Sequence, residues 1–282
     1  KQGNFEKGTP VIKIIKETYP EIGSAPLAAR VNGRVTGLRE PLEEDAEISI
    51  LTEEHREGRD VLWHSASHVM AHAVKELYPG TALGIGPAIE NGFYYDFHLD
   101  ETISSDDLAA IEKKMKEIVK ANMPFQKEVL KSGEADALFA RRKEPFKREL
   151  IQDIDSREVS VYRTGDSDFL DLCRGPHVPS TRYIKHFKLL SVAGAYWRGD
   201  ERNAVMQRIY GIAFRHKKDL EEYLYAREQA RLRDHRRLGK ELDLFSFHPE
   251  GPGFPFWHAP GMVVYNEVQN YMRETLTRHG YG

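Results

Sequence analysis

One stretch of the sequence limits the possible folds more than any other, a helix pattern that runs from Asp60 to about Leu77. Its apolar side chains recur at intervals of three and four residues, as they do on the buried face of a helix, and Pro79-Gly80 ends the pattern. The polar positions include His64 and His68, which are four residues apart. Residues with this spacing lie on the same helix face. The most informative helix of the chain therefore carries two adjacent imidazoles.

The composition is typical of a folded protein with more than one domain. The 282 residues exceed the usual size of one domain, and the hydrophobic fraction of 40% is enough to build real cores. The formal net charge of -3 excludes an all-basic nucleic-acid coat, so any contact with RNA must use local patches. The first residue is Lys1 rather than Met, and we expect the sequence to start inside a longer polypeptide.

The expected cellular location follows from the cysteine content and from the hydropathy pattern. The single cysteine, Cys173, cannot form an internal disulfide. Apolar stretches are far shorter than the roughly 20 residues needed to span a bilayer. We therefore expect a soluble, cytoplasmic protein with no membrane partner.

The pattern of helices and strands divides the chain into four parts. Residues 1–55 predict a small α+β unit, and residues 60–213 predict a second α+β domain with aromatic-rich strands. A charged helix predicted from Lys217 to Leu242 fills most of residues 214–248 and connects to a third domain that begins at residues 249–282. The predicted fold class is α+β, multidomain.

A second polar segment, Asp171 to His177, follows the histidine helix by about a hundred residues. Its Cys173 and its histidine are again four residues apart. Each pair has an ordinary structural explanation, as surface histidines or as a buried free cysteine beside a loop histidine. Taken together, however, His64 and His68 with the second pair form a set of nitrogen and sulfur donors that lines a polar cleft or holds zinc. Both alternatives are open at this point.

Three further features would not indicate function by themselves. Lys147 begins a short helix pattern after a basic stretch, where a solvated charge is the usual explanation. Tyr95 lies in an aromatic strand, where core packing is usual. The charged helix has a basic side that few acids interrupt, and contact with a phosphate backbone is the alternative to a solvated face. The candidate residues for that contact are Arg231, Arg236 and Arg237.

Four motifs follow one another in the chain: His64-Ser-Ala-Ser-His68, Asn91-Gly-Phe-Tyr-Tyr-Asp96, Asp171-Leu-Cys-Arg-Gly-Pro-His177 and Ala193-Gly-Ala-Tyr-Trp-Arg-Gly-Asp200. In this order they closely resemble the motifs of bacterial threonyl-tRNA synthetases, which are class II enzymes. The resemblance covers nearly the whole chain. It implies a ubiquitin-like TGS domain over residues 1–55 and an editing domain, shared in outline with alanyl-tRNA synthetase, over residues 60–213. It also implies a connecting helix over residues 214–248 and, over residues 249–282, the start of the antiparallel-sheet catalytic core with its motif 1 region.

The resemblance implies two activities for the full-length enzyme, namely ATP-dependent attachment of threonine to tRNA and hydrolysis of mischarged seryl-tRNA(Thr) by the editing domain. Threonine exceeds serine by one methyl group, which changes binding by only about 1 to 3 kcal/mol, too little for translation fidelity. ATP, Mg and Zn are expected only for the full-length catalytic core, whose ligands this sequence lacks. We therefore expect editing without a cofactor and no synthetic activity from these residues alone.

The resemblance also implies partners and residue roles. The expected partners are tRNA(Thr), with its seryl-adenosine 3′ end, and a second copy of the chain in the homodimer of the full-length enzyme, but no DNA. The implied catalytic residues are His64, Lys147, Asp171, Cys173 and His177, and the implied substrate-binding residues are His68 and Tyr95. The arginines Arg231, Arg236 and Arg237 are the expected tRNA-binding residues of the connecting helix.

Three questions stay open at the level of sequence. A lysine acts as a general base only when its pKa is depressed and otherwise stabilises negative charge, so the general base is either Lys147 or His64. The set of His64, His68, Cys173 and His177 fits zinc, and the alanine-specific relatives resemble a metal-binding version of this site. The threonine-specific family works without metal here, and we expect no metal. The alternative functions are a non-catalytic module that binds tRNA-like RNA and a zinc-dependent aminoacyl-tRNA deacylase.

Overall fold

The structure is a computed structural model that describes residues 2–23 and 26–281. The chain divides into two compact units, Lys1–Leu220 and Glu221–Gly282. Both contain helices and antiparallel sheets, which confirms the predicted α+β fold class. Within the described part of the chain, no helix is long and apolar enough to cross a membrane.

The described residues form the following α-helices: α1 (Val11–Thr18), α2 (Arg56–Leu77), α3 (Leu108–Lys120), α4 (Ser132–Arg141), α5 (Pro145–Asp153), α6 (Lys217–Leu232), α7 (His235–Glu241) and α8 (Ala259–Arg278). Their strands are β1 (Thr9–Pro10), β2 (Ala28–Val31), β3 (Arg34–Thr36), β4 (Pro41–Leu42), β5 (Ile48–Leu51), β6 (Ala82–Leu83), β7 (Ala88–Ile89), β8 (Gly92–His98), β9 (Phe125–Lys131), β10 (Glu158–Thr164), β11 (Leu170–Leu172), β12 (His186–Tyr196), β13 (Val205–Phe214), β14 (Phe245–Ser246) and β15 (Phe256–Trp257).

The first part of unit 1 is a small sheet covered by α1. Its strands are antiparallel in the order β3-β2-β5, and β1 pairs with β4 beside them. Asn32 and Gly33 connect β2 to β3 with positive φ angles of 48° and 83°, the conformation that a tight hairpin turn requires. Val11, Ile15 and Leu38 are buried in its own apolar core. This layer reaches the candidate site through β3.

The centre of unit 1 is α2, which packs against α3 and against β8 and β13 of the main sheet. That sheet runs β12-β13-β8-β6, and β7 also pairs with β8. Helix α2 begins at Arg56, four residues before the predicted start at Asp60, so part of the expected polar linker is helical. A Cβ at position 58 would lie 2.0 Å from the carbonyl oxygen of Thr52. The helix can begin at Arg56 because Gly58 has no side chain. Most of α2 is buried, and its polar residues are therefore held in a fixed environment.

A second, three-stranded antiparallel sheet in the order β11-β10-β9 carries the rest of the site. Helices α4 and α5 pack on each other, and α4 packs on this sheet. Phe139 of α4 and Val161 of β10 are fully buried between them. The packing fixes the position of α5 and of the loop that follows β11.

The charged segment after residue 216 is not one helix to Leu242 as predicted. Helix α6 ends at Leu232, and α7 begins at His235. Asp234 lies between them with non-helical dihedral angles of -58° and 124°, and its side chain accepts a hydrogen bond from the backbone N–H of Arg236. An aspartate that caps a helix in this way favours a new helix start over continuation.

Unit 2 consists of the end of α6, α7, the β14-β15 pair and α8. Gly261 of α8 lies against the backbone of Leu244, where a Cβ would come within 1.9 Å of the carbonyl oxygen. Several large apolar side chains of α8 are exposed, among them Val263, Tyr271 and Met272.

Candidate active site

A cavity of about 500 Å³ in unit 1 collects most of the polar residues singled out in the sequence. Helix α2 forms one wall, and the loop after β11 forms another. The lining residues are Val35, Glu57, Asp60, Val61, His64, His68, Ile85, Gly86, Pro87, Ala88, Lys147, Asp171, Leu172, Cys173, Arg174, Gly175 and Pro176. Pockets of this size suit small molecules or the end of a larger one.

Two imidazole rings direct a lone pair at the same sulfur atom. His64 Nδ1 lies 3.1 Å from the carbonyl oxygen of Gly86, which can only accept, so Nδ1 carries the proton. His64 Nε2 then faces Cys173 Sγ at 2.9 Å as an acceptor. On the other side, His177 Nε2 lies 3.4 Å from the same sulfur. A thiol has one proton, so it donates to only one of these two nitrogens at a time.

The tautomer of His177 is fixed by Ser65 on α2. The Ser65 hydroxyl donates to the carbonyl oxygen of Val61 at 2.7 Å and accepts from the backbone N–H of Val178 at 3.0 Å. Its proton is thus already used, and the contact of 3.1 Å to His177 Nδ1 is one in which the imidazole donates. The lone pair of His177 therefore lies on Nε2, on the side of the sulfur.

The buried end of the cavity holds neutral imidazoles and a neutral thiol. Burial lowers the pKa of His64 and lowers the pKa values of His68 and His177 well below the usual range, and the neighbouring imidazoles add to the effect for these two. Burial also raises the pKa of the Cys173 thiol to about 12, so the sulfur keeps its proton at neutral pH. Because none of these groups is charged, each histidine retains a lone pair for accepting a proton.

A buried ion pair lies beside these neutral groups. Lys147 Nζ on α5 is 2.6 Å from Asp171 Oδ1 on β11, and both side chains are 2% exposed. Tyr95 on β8 donates from its hydroxyl to Asp171 Oδ2 at 2.5 Å and accepts from Lys147 Nζ at 3.1 Å. Burial and the adjacent Asp171 carboxylate raise the pKa of Tyr95 well above its usual value, so it stays protonated. The ammonium group is thereby fixed in place at the cavity wall.

His68 lies between the neutral imidazoles and the buried ion pair of Lys147 and Asp171. Its Nε2 lies 3.5 Å from Asp171 Oδ2, and its Nδ1 has no hydrogen-bond partner within the described residues. Its ring packs edge-on against His64 and His177, with centroid distances of 4.8 and 4.3 Å. The sequence spacing of four residues thus places adjacent imidazoles on one helix face, as predicted.

Two glycines allow the walls to approach this closely. Gly86 lies on the ring of Tyr95, where a Cβ would be 2.0 Å from Cδ2. Gly175, with a φ of 67°, lies against the Tyr162 hydroxyl, where a Cβ would be 2.2 Å away. Any side chain at either position would displace an aromatic ring or the loop.

The donor atoms also fit a metal ion. One atom each from His64, His68, Cys173 and His177 lies within 4.8 Å of the others. Around zinc, donors at bond lengths of about 2.0 to 2.3 Å are roughly 3.5 Å apart, so a small contraction would complete a tetrahedron. The Nδ1–H groups of His64 and His177 are held by Gly86 and Ser65, as is usual for imidazoles that ligate metals.

The structure brings together all seven residues predicted for catalysis or substrate binding. The three predicted arginines lie elsewhere, on α6 and α7, and each is paired with an acid of its own segment. Arg231 pairs with Glu228, Arg236 with Asp234 and Arg237 with Glu241. Their contact with tRNA stays a prediction.

Sequence reasoning missed several residues that shape the cavity. Ser65 and Gly86 set the tautomers of the two histidines, while Asp60 and Arg174 line the cavity as charged groups. Ser65 and Arg174 are parts of the motifs already noted, and Asp60 precedes His64 by one helical turn. Only the spacing on α2 offered a signal for Asp60.

Comparison with known proteins shows what this chain is similar to. Residues 159–210 match the family model described as "Threonyl and Alanyl tRNA synthetase second additional domain". The chain is 48% identical over 278 residues to a threonine–tRNA ligase of Caldanaerobacter subterraneus subsp. tengcongensis, an alignment that covers 98% of this chain and 43% of the relative. The corresponding enzyme of Clostridium tetani is 51% identical over 277 residues, with 98% and 43% coverage. The chain is homologous to threonine–tRNA ligases.

The similarity extends to relatives from other bacteria. A threonine–tRNA ligase of Azoarcus sp. is 48% identical over 279 residues, which are 99% of this chain and 43% of that protein. The resemblance expected from the motifs is thus confirmed over nearly the whole chain. The chain spans less than half the length of the curated relatives it matches. The matched family model lies within the predicted editing segment and includes Asp171, Cys173 and His177.

Proposed function

We propose that this part of a threonine–tRNA ligase homologue removes serine from mischarged tRNA(Thr) by hydrolysis of the ester. The observation that carries the proposal is the arrangement at the cavity: a buried ammonium group, neutral imidazoles with free acceptor nitrogens, and one open side. Ester hydrolysis needs a positioned water, a proton acceptor and a positive group near the developing oxyanion. The proposed partner is tRNA(Thr), whose seryl-adenosine 3′ end would enter the cavity.

We propose that His64 accepts the proton of the attacking water. Its Nε2 has a lone pair because Nδ1 donates to Gly86, and its lowered pKa keeps the ring neutral. The Cys173 thiol, which lies between His64 and His177, turns its proton toward His177 to release that lone pair. Water then attacks the carbonyl carbon, the ester bond to the ribose oxygen breaks, and the proton taken up by His64 passes to that oxygen. The products are serine and uncharged tRNA.

Lys147 would stabilise the oxyanion rather than act as the base. Its ammonium group is held by Asp171 and by Tyr95, so it is charged and positioned before the substrate arrives. A fixed positive charge in a cavity with little water is effective in stabilising a developing negative charge. We propose that the Asp171 carboxylate and the neutral His68 ring, which lie 3.5 Å apart, hold the amino group of serine. Because polar side chains already fill this end, the extra methyl group of threonine would fit poorly.

The test is deacylation of seryl-tRNA(Thr) and threonyl-tRNA(Thr) by this chain, with and without a chelator. We expect rapid loss of serine, slow loss of threonine and no effect of the chelator. Loss of both amino acids at the uncatalysed rate, with tRNA still bound, would refute the proposal in favour of a non-catalytic RNA-binding module. A control with uncharged tRNA as competitor separates weak binding from slow chemistry.

A zinc-dependent hydrolase is the second candidate, favoured by the convergence of His64, His68, Cys173 and His177 on one point. Zinc held there would act as a Lewis acid toward the ester. In this case the chelator would abolish hydrolysis, and added zinc would restore it. Metal analysis of the purified protein gives an independent result, since a bound ion would be detected without any substrate.

The Cys173→Ala variant is expected to lower hydrolysis of seryl-tRNA about tenfold and to leave the fold intact. The Cys173 thiol contacts the imidazoles of His64 and His177 and donates to one of them at a time. Loss of that hydrogen bond corresponds to about 1.4 kcal/mol. The Cys173→Ser variant keeps a donor and should retain more activity than the alanine variant. Single-turnover hydrolysis and circular dichroism of both variants are the measurements, and an alanine variant with the original rate would remove the thiol from the mechanism.

We propose the synthetic activity for a full-length protein rather than for the residues of this chain. We propose that it attaches threonine to tRNA with ATP and works as a homodimer, with Mg and Zn in its catalytic core. No residue of this chain is assigned to that step.

A further inference from the structure

Arg174 occupies an unusual position at the rim of the active-site cavity. It is exposed, and it lines this cavity as well as two neighbouring ones that border the same loop. Among the described residues its side chain has no hydrogen-bond acceptor and no ion-pair partner. An arginine in this state can bind an incoming anion without first breaking an internal pair.

The backbone on both sides of Arg174 is held in place. The N–H of Cys173 donates to the Ser160 carbonyl at 3.1 Å, and the Ser160 hydroxyl donates to the Cys173 carbonyl at 2.6 Å. The next N–H, that of Gly175, donates to the cysteine sulfur at 3.1 Å. These hydrogen bonds fix the backbone at Arg174, and its guanidinium group therefore lies at the rim of the cavity.

Within the described residues, Arg174 forms no ion pair with the three acids of the cavity lining, Glu57, Asp60 and Asp171. Glu57 pairs with Arg30, which lies outside the lining. The only other lysine or arginine of the lining is Lys147, which pairs with Asp171. The charge of Arg174 is thus available to a ligand at the open side, whereas that of Lys147 is directed at the buried end.

Resting on the proposed function, we propose that Arg174 binds the phosphate that joins the terminal adenosine to the preceding nucleotide. The ester must reach the buried end to meet His64 and Lys147, so the nucleoside fills the cavity and its 5′ phosphate lies toward the rim. Phosphates are the anions of this substrate, and a guanidinium group matches their geometry with two parallel hydrogen bonds. Arg174 would therefore recognise tRNA through its backbone rather than through a base, and would set how deeply the ester enters.

The test uses two stable analogues in which an amide replaces the ester, 3′-serylamino-3′-deoxyadenosine with and without a 5′ phosphate. Their affinities are measured by calorimetry on the unmodified chain and on the variants Arg174→Gln, Arg174→Lys and Arg141→Gln. The last variant removes an exposed arginine that lines none of these cavities. Hydrolysis of seryl-tRNA is measured in parallel.

We expect the unmodified chain and the Arg141→Gln control to bind the phosphorylated analogue about tenfold more tightly than the other analogue. Arg174→Gln should bind both equally, and Arg174→Lys should lie between. In hydrolysis, Arg174→Gln should raise KM about tenfold and change kcat little. Equal loss of affinity for both analogues, or no loss at all, would overturn the phosphate contact.

The two proposals fail in different ways. If the unmodified chain hydrolyses nothing but shows the phosphate-dependent difference in affinity, the proposed hydrolysis fails and the Arg174 contact stands. If it hydrolyses seryl-tRNA and the difference is absent, the contact fails alone. If neither analogue binds and seryl-tRNA is not hydrolysed, both proposals are refuted.

Discussion

Replacing Lys147 with methionine is expected to lower hydrolysis of seryl-tRNA about a thousandfold. The ammonium group is the fixed positive charge at the buried end of the cavity, and loss of one such stabilising group costs about a hundredfold to a thousandfold in rate. Methionine has a similar length but cannot donate to Tyr95 or stabilise an oxyanion. Single-turnover hydrolysis at saturating enzyme is the measurement, because it separates the chemical step from tRNA binding.

The same substitution should also destabilise the fold, and a second variant separates the two effects. Without Lys147, Asp171 is left as an unpaired charge with 2% exposure, a situation that typically costs about 3 to 5 kcal/mol. The double variant Lys147→Met/Asp171→Asn removes both charges and should recover most of the stability. It should not recover hydrolysis. A double variant with normal hydrolysis would show that the pair serves the structure alone.

A matched control ion pair is available between β8 and β13 of the main sheet. Asp96 follows Tyr95 directly and pairs with Arg208 at 2.7 Å, yet neither residue lines the cavity. The double variant Arg208→Met/Asp96→Asn removes a comparable ion pair, with the carboxylate 4% exposed. It should lower the free energy of unfolding and leave the rate of hydrolysis of the bound ester nearly unchanged. Loss of hydrolysis in this control as well would mean that the assay reports on the fold.

Lowering the pH from 7 to 5 is expected to destabilise unit 1 by several kcal/mol through its buried histidines. Burial lowers the pKa values of His64, His68 and His177 in the folded chain, whereas unfolding returns each to about 6.5. Below pH 6.5 the unfolded chain therefore binds more protons than the folded chain, and stability falls as the pH falls. Each histidine that stays neutral at pH 5 contributes about 2 kcal/mol to this loss.

The pH range in which stability is lost distinguishes the effect of these histidines from that of the carboxylates. Carboxyl groups whose pKa is lowered by ion pairs, such as Asp136 beside Arg148, lose their contribution near and below pH 4. Glu144 opposes the histidines, because burial raises its pKa and the folded chain takes up its proton first. Urea unfolding between pH 5 and 7 measures the effect. His68→Gln should reduce the slope of the free energy of unfolding against pH by about one proton. A flat profile would mean that the imidazoles are charged in the folded chain.

The sequence predicts the local part of this site well and the long-range part only through the family resemblance. The pairing of His64 with His68 follows from helix spacing. Lys147 gives no such signal, because its role depends on the packing that brings α5 next to Asp171 on β11. The helix break at Asp234 could have been predicted, since aspartate is a common helix cap. The charged pattern on both sides, however, favoured one continuous helix.

Position 86 limits how this site can be altered for other esters. Its carbonyl sets the proton arrangement of His64, and the space beside it is filled by the Tyr95 ring. Substitution of Gly86 is therefore limited by shape, because a side chain would displace the Tyr95 ring or shift the backbone carbonyl that His64 contacts. Redesign of specificity has more room at outer positions of the lining, such as Val35 and the exposed Ile85. A library built for a new amino acid should vary these outer positions and leave the glycine untouched.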